Sequence, residues 1–337
     1  MKITIKDIAK KANVSITTVS RVLNNKTEGI GDETRRNVLK IIDEMGYQPN
    51  RIARSLITNK TNTIGLIIPD IRNPFFPELV RGVEDVANSK QYNVFLCNTD
   101  GNNEKEEEAL KLMIEKNVDG LVLAHSYDKP NKSFRNLLTK HNIPVVLIDR
   151  GLNDERFSGV FIDNETAGYL ATKHLIELNH RKIACITGPN HINNSHERLK
   201  GYLKAHFEEN IPINKDFILT GDYQMEGGYK AGKKILESKN VTAIFALNDL
   251  MAFGVYQAAM ELDINIPDDL SVVGFDNIKY NQLLHPKLTT IEQSVYEMGE
   301  TATRFLFENI QEDQQLGKKT IFLEPKLIIR ESTRKLF

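Results

Sequence analysis

Arg21 and Asn24 are side chains suited to reading the edge of a base pair, and Thr17 and Ser20 stand one turn before them. A guanidinium can make paired hydrogen bonds to a guanine edge, while amides and hydroxyls reach bases or phosphates. A second group of polar and aromatic residues follows apolar runs further along: Asn73-Pro74-Phe75-Phe76 after GLIIPDIR, Asp149-Arg150 ending PVVLIDR, Asn248 ending IFALN, Asp276 ending SVVGFD and Gln293 after TTIE. Ligands of α/β folds sit at the carboxyl ends of strands. Catalytic signatures are missing. His174, His180, His191 and His196 do not have the HExxH spacing of a metal site, and no GxSxG elbow, GxGxxG or GxxxxGK[ST] loop occurs. Neither an enzyme nor a nucleotide or metal cofactor is expected.

The first group needs helices to present it. In TIKDIAKKA (4–12), Thr4 and Asp7 have capping-box spacing, and Ile5, Ile8, Ala9 and Ala12 share one helical face. Asn13-Val14-Ser15 makes a short turn, with Ser15 placed to cap a second helix over ITTVSRVLN. There Val19, Val22 and Leu23 form the inner stripe, leaving Ile16, Thr17, Ser20, Arg21 and Asn24 on the outer face. A third helix is expected from about Asp32, with Val38, Ile41, Ile42 and Met45 inward and Gly46 as its stop. Two short helices joined by a three-residue turn match a helix-turn-helix, whose second helix enters the major groove. A plain three-helix bundle with a polar face has the same spacing.

Charge favours the first alternative. Residues 1–60 hold 12 basic and 6 acidic side chains, a net +6, although the whole chain carries −1. A basic head on an acidic body suits a polyanion-binding module joined to something else. Hydrophobic residues make up 40% of the 337, without the long apolar run that a membrane span needs. The opening MKITIKDIAKKA lacks the apolar stretch of a secretion signal. Cys97 and Cys185 are far apart in apolar strand-like runs, so two buried free thiols and a cytoplasmic location are expected.

After Tyr47-Gln48-Pro49, the segment NRIARSL (50–56) could form two helical turns, too few to be stable alone in water. KDIAKKANVSITTVSRVLNN (6–25) and NRIARSL, in this order, resemble the headpiece and hinge of the lactose/galactose repressor family. The resemblance implies a repressor whose DNA contacts come from Thr4, Lys6, Ser15, Ile16, Thr17, Ser20, Arg21 and Asn24 in the head and from Asn50, Ala53 and Leu56 in the hinge. It further implies a homodimer on a palindromic, CG-centred operator, with the two hinge helices paired in the minor groove. Leu56 would wedge into the central step, a physically reasonable use of an apolar side chain. The family's Ser or Thr cap on the third helix is replaced here by EGIGDETRR, so no phosphate contact is carried over to that position.

From Thr63 the runs TIGLIIP, NVFLC, DGLVLA, PVVLI, KIACIT, TAIFA and SVVGF alternate with helical patterns such as Leu79, Val80, Val83, Val86 and Ala87, which predicts parallel sheets covered by helices. The fold class expected is α/β: an all-α helix-turn-helix headpiece (1–48) and hinge (49–61) joined to a two-lobed core (62–337). The core resembles that of the same family and of periplasmic sugar-binding proteins. That resemblance implies an N-lobe of about 62–160 and 292–323 and a C-lobe of about 161–291 and 324–337, with a ligand between them. A neutral sugar needs aromatic walls for its C–H faces and a ring of donors and acceptors for its hydroxyls. The set Asn73, Phe75, Phe76, Asp149, Arg150, Arg198, Asn248, Asp276 and Gln293 resembles that of ribose-binding proteins. Tyr223 stands where they have phenylalanine, keeping a wall and adding a hydroxyl. A ribose-operon repressor is therefore the expected kind of member, with D-ribose as effector. Another sugar, a purine or a protein corepressor are the alternatives. A secreted sugar receptor and a sensor without DNA binding share the body but not the basic head and hinge.

Overall fold

The computed structural model describes residues 3–24, 26, 28–47, 60–125, 132–150, 157–238, 240–311 and 319–337. The hinge positions Asn50, Ala53 and Leu56 lie outside the described residues. The chain divides into two units, Met1–Thr61 and Asn62–Phe337.

Among the described residues, the first unit has three helices, α1 (Ile5–Ala12), α2 (Ile16–Leu23) and α3 (Asp32–Glu44). Their inner faces meet in a core of Ile8, Ala9, Ala12, Val19, Val22, Val38 and Ile41. At the start of α1 the Thr4 N–H and hydroxyl both donate to the Asp7 carboxylate, at 2.9 and 2.7 Å. Those bonds to Thr4 hold the Asp7 carboxyl below its ordinary pKa. Asn13 ends the helix in the left-handed region at φ 53°. Ser15 Oγ then accepts the Thr18 N–H at 3.0 Å, satisfying a donor that the first turn of α2 leaves free. Helix α3 begins at Gly31 without a side-chain cap, and Gly46 follows it at φ 58°. Ser15→Ala is expected to cost about 1 kcal/mol locally. Amide exchange in α2 should quicken about fivefold, whereas unchanged exchange would mean that the cap contributes nothing.

The second unit holds two six-stranded sheets. The first comprises β1 (Thr63–Ile68), β2 (Asn93–Asn98), β3 (Gly120–Leu123), β4 (Val145–Ile148), β5 (Ser158–Ile162) and β11 (Thr320–Leu323), in the order β11-β5-β4-β3-β1-β2. The second comprises β6 (Ile183–Thr187), β7 (Ile218–Thr220), β8 (Ala243–Ala246), β9 (Ser271–Asp276), β10 (Thr289–Glu292) and β12 (Lys326–Ile328), in the order β12-β10-β9-β8-β6-β7. All pairings are parallel except β10 with β12. The chain thus passes between the sheets three times: after β5, after β10 and between β11 and β12. The expected mixed α/β class is the one found. Strands β1, β3, β4, β6, β8 and β9 are buried on both faces, which explains their continuous apolar runs.

Helices α4 (Phe75–Ser89), α5 (Asn103–Glu115), α6 (Lys132–His141) and α11 (Val295–Gln311) accompany the first sheet; α7 (Asn164–Glu177), α8 (Asn193–Glu208), α9 (Met225–Glu237) and α10 (Asp249–Glu261) accompany the second. Two helix pairs of the second sheet cross at glycines. A Cβ on Gly201 of α8 would lie 2.1 Å from the Glu165 carbonyl oxygen of α7, and one on Gly254 of α10 would lie 2.1 Å from the Met225 carbonyl oxygen of α9. These crossings bring together helix starts that carry polar side chains.

Candidate functional site

Two surfaces hold the residues singled out by the sequence. In the first unit, Thr4, Lys6, Ser15, Ile16, Thr17, Arg21 and Asn24 are exposed and Ser20 is half-buried. Arg21 and Asn24 are also engaged within the unit. Arg21 donates through Nε to the Lys26 carbonyl at 3.3 Å and through Nη2 to the Glu28 carbonyl at 2.5 Å. Asn24 Nδ2 donates to the Ser20 carbonyl at 2.8 Å. Ile16, Thr17 and Arg21 lie on the face of α2 opposite the buried Val19 and Val22, which is the geometry of a recognition helix.

In the second unit, every candidate of the strand-end group lines one small cleft: Asn73, Phe75, Phe76, Asp149, Arg150, Arg198, Tyr223, Asn248, Asp276 and Gln293, with Asn194 added. The cleft has an empty volume of about 300 Å³, part of it open to solvent. A wider groove adjoins it, sharing Phe75 and Asp276 and lined otherwise by side chains such as Ile71, Pro77 and Tyr280, all exposed. The buried polar groups converge on the smaller space, the arrangement expected of a ligand site.

The elements explain the convergence. Asn73 sits in the turn after β1, where its Oδ1 accepts the Phe75 N–H at 3.1 Å. Phe75 and Phe76 open α4 with rings edge to face, centroids 5.0 Å apart, forming an apolar wall. Asp149 follows β4 at φ 59°, and its carboxylate pairs with Arg150 at 3.4 Å. Asn194 at the start of α8 reaches over from the other sheet's side and donates to Asp149 Oδ1 at 2.9 Å. One turn on, Arg198 donates to Asn164 Oδ1 at 2.8 Å and to the Leu247 carbonyl at 2.7 Å, lies over the Phe275 ring and sits 3.9 Å from Asp276. Asn248 caps α10 by accepting the Met251 N–H and donates to the Tyr223 carbonyl at 3.0 Å. Gln293, just past β10, donates through Nε2 to Asp276 Oδ1.

Asn194 is the lining residue that the sequence reading missed. It lies in the polar stretch NHINNSHER, which looks like a loop. The available signal was its spacing of four from Arg198, which puts both on one helical face. The same stretch places His196 in α8 as well.

Electrostatics are unusual for so small a space. Burial pushes the Asp149 and Asp276 carboxyls above their ordinary pKa, opposed by Arg150 and Arg198 at Asp149 and by Arg198 at Asp276. Burial also raises the Tyr223 hydroxyl. Three side-chain atoms here, Arg150 Nε, Tyr223 Oη and Gln293 Oε1, are buried without a hydrogen-bond partner among the described residues. Unmade bonds of this kind are costly. Donors and an acceptor left over around one space suit a ligand that can both accept and donate, as a hydroxylated ring does. Two contacts also join the two sides nearby: Gln224 donates to Asp70 at 2.9 Å, and in the wider groove Lys279 pairs with Glu78 at 2.7 Å.

Comparison with known proteins finds matches for both units. Residues 4–50 match the model of bacterial regulatory proteins of the lacI family. Residues 61–327 match periplasmic binding proteins and the sugar-binding domain of the LacI family. The transcriptional repressor PurR of Aliivibrio fischeri is 40% identical over 98% of both chains. The ribose operon repressor of Halalkalibacterium halodurans is likewise 40% identical, over 98% of this chain and 97% of its own. Among solved structures, a LacI family regulator of Enterococcus faecium with bound ribose has a TM-score of 0.76 at 34% identity, over 82% of this chain and all of its own. The lac repressor dimer bound to operator and the anti-inducer ONPF has a TM-score of 0.88 at 26% identity, over 99% of this chain and 100% of its own.

Proposed function

Because the chain belongs to the LacI family of bacterial regulators, and is accordingly a DNA-binding repressor rather than an enzyme, we propose that it represses a ribose-utilisation operon and that D-ribose is its inducer. The observation that carries the sugar assignment is the convergence of Tyr223 and Gln293, each with a buried polar atom lacking a hydrogen-bond partner, and of the Asp149–Arg150 ion pair on a cleft walled by Phe75 and Phe76. The ribose-bound relative and the ribose operon repressor support the choice of pentose. Calorimetric titration of the full chain with D-ribose, glucose, galactose and guanine tests it. Saturable binding of ribose alone is expected; silence with ribose would remove the assignment and leave the repressor standing.

The rest of the mechanism follows from this reading. Two subunits form a cytoplasmic homodimer and present two heads to a palindromic operator. The N-lobe comprises about 62–160 and 292–323, and the C-lobe about 161–291 and 324–337. Without ribose the two 50–56 segments pair on DNA, folding there because they are too short to fold alone. Leu56 wedges into a central CG step, and Asn50 and Ala53 line the minor-groove contact. Ribose bridges the lobes, shifts the N-lobes against each other and separates the hinges. Leu56→Ala should weaken operator binding and leave ribose affinity intact; an unchanged operator affinity would refute the wedge.

Arg21 has a sharper test. To reach a base it must exchange its bonds to the Lys26 and Glu28 carbonyls for a guanine edge. Arg21→Ala should therefore cost about 1–3 kcal/mol of discrimination at one half-site position. A residue that only braced the loop would lower affinity for all sequences alike, so a selection from random DNA with an unaltered preference would remove Arg21 from base reading.

A purine effector is the second reading, favoured by the resemblance to purine repressors. It would appear in the same titration as binding of guanine without ribose.

A further inference from the structure

Asp249 does not line the cleft, yet it is fully buried at the first position of α10, beside Asn248, which does line it. Its Oδ2 accepts the Ile278 N–H at 2.9 Å and Asn281 Nδ2 at 2.8 Å, and its Oδ1 accepts the Thr290 hydroxyl at 2.6 Å. Ile278 and Asn281 belong to the turn that begins at Asp276. Thr290 lies in β10, three residues before Gln293. One carboxylate thus ties together the segments that deliver Asn248, Asp276 and Gln293 to the cleft.

The turn needs such a tie. Asp276 stands at φ 110° and Asn277 at φ 54°, conformations that residues with side chains rarely adopt unless the surroundings hold them. Room for the carboxylate comes from Gly274 in β9, where a Cβ would lie 2.3 Å from Asp249 Oδ1. The placement is costly: burial pushes the Asp249 carboxyl up to about 6, with the Thr290, Ile278 and Asn281 bonds opposing. Charged groups also meet this turn directly: Asn277 donates to Glu292 Oε1 at 3.0 Å and accepts from Arg330 Nη2 at 2.6 Å, Lys279 pairs with Glu78 at 2.7 Å, and Arg198 lies 3.9 Å from Asp276.

We infer that Asp249 is a positioning residue for the ligand cleft, holding the Asp276 turn and β10 so that Asp276 and Gln293 face the effector. The inference rests on the cleft being the effector site and deepens that reading. Its carboxylate makes no contact with the ligand and acts through Asp276 and Gln293.

The test uses Asp249→Ala and Asp249→Asn in the full chain. With three donors left unanswered, Asp249→Ala should weaken ribose binding at least about tenfold, at unchanged operator affinity without ribose. Asp249→Asn keeps an oxygen toward Ile278 and Asn281 and turns its amide toward the Thr290 hydroxyl, which can accept. It should therefore restore most of the affinity. A residue that merely anchored the fold would reduce the fraction of chains able to bind, without altering the affinity of the rest. A lower calorimetric stoichiometry with unchanged Kd would thus overturn the inference, as would an Asn variant no better than Ala. If Asp249→Ala does not fold, Thr290→Val and Asn281→Ala each remove one donor and should weaken ribose binding about threefold; unchanged affinity in both would overturn it. Amide exchange over 276–283 in the ligand-free chain separates this inference from the ribose assignment. Exchange should quicken in Asp249→Ala whether or not ribose is the effector, and retained protection would overturn the positioning role alone.

Discussion

Asp276→Asn is expected to abolish the response to ribose while making the folded core more stable. The carboxylate lies at the end of β9, buried, with Gln293 donating to it and Arg198 at 3.9 Å. A sugar hydroxyl donating to this group makes a charge-assisted bond, and an amide offers one acceptor fewer and no charge. A loss of about 3 kcal/mol, or roughly a hundredfold in affinity, is the size expected for such a bond. Stability should move the other way. Burial raises the Asp276 pKa, with Asp249 and Asp149 adding repulsion. In the folded state the ionised form is thus disfavoured relative to the unfolded chain. A carboxyl raised in this way costs stability wherever the pH lies above its unfolded value, because ionisation then favours the unfolded chain. The cost fades as pH falls through the folded pKa, and it is gone below the unfolded value. The asparagine variant should melt higher than the parent at pH 7.5, with the gap closing in acid. Operator binding without sugar should be retained. A variant that still released the operator with ribose would move the site elsewhere.

Gly201→Ala should destabilise the core, although helix propensity alone predicts the reverse. Alanine in a helix interior is better than glycine by roughly 0.5–1 kcal/mol. Against this, the new Cβ would stand 2.1 Å from the Glu165 carbonyl oxygen and 2.4 Å from the Tyr169 nitrogen, both backbone atoms that cannot swing aside. Helices α7 and α8 must separate, and overpacking of this kind costs about 1–3 kcal/mol or more. Urea unfolding followed by circular dichroism should show a lower midpoint. The consequence reaches the cleft. Asn164 on α7 holds Arg198 on α8 at 2.8 Å, one turn from the crossing, so ribose affinity should fall with stability. A more stable variant would show that propensity outweighs the crossing.

How far the sequence disclosed this arrangement differs between its parts. The headpiece helices were legible because each carries its own punctuation: the Thr4–Asp7 pair, the Ser15 cap and Gly46. The apolar runs that became β1, β3, β4, β6, β8 and β9 were legible because strands buried on both faces have no polar alternation to obscure them. Strand β5 was not, although it lies between β4 and β11, since Ser158 and Gly159 open it without the β-branched density of its neighbours. Strands β7, β11 and β12 are short, half exposed and recognisable only through their partners. In the cleft, residues at strand ends were legible from position and type. Asn194 and Asp249 were not, because their importance lies in what they hold: Asp149 for the first, and the turn after β9 for the second.

The measurement that tests the account most directly is the affinity of the full chain for its operator, selected from random DNA, with and without saturating D-ribose at fixed salt. Ribose should weaken operator binding, within the 5–150-fold typical of allosteric coupling, and operator should weaken ribose binding by the same factor. Operator affinity that stays constant, or tightens, when ribose is bound would contradict ribose as the inducer.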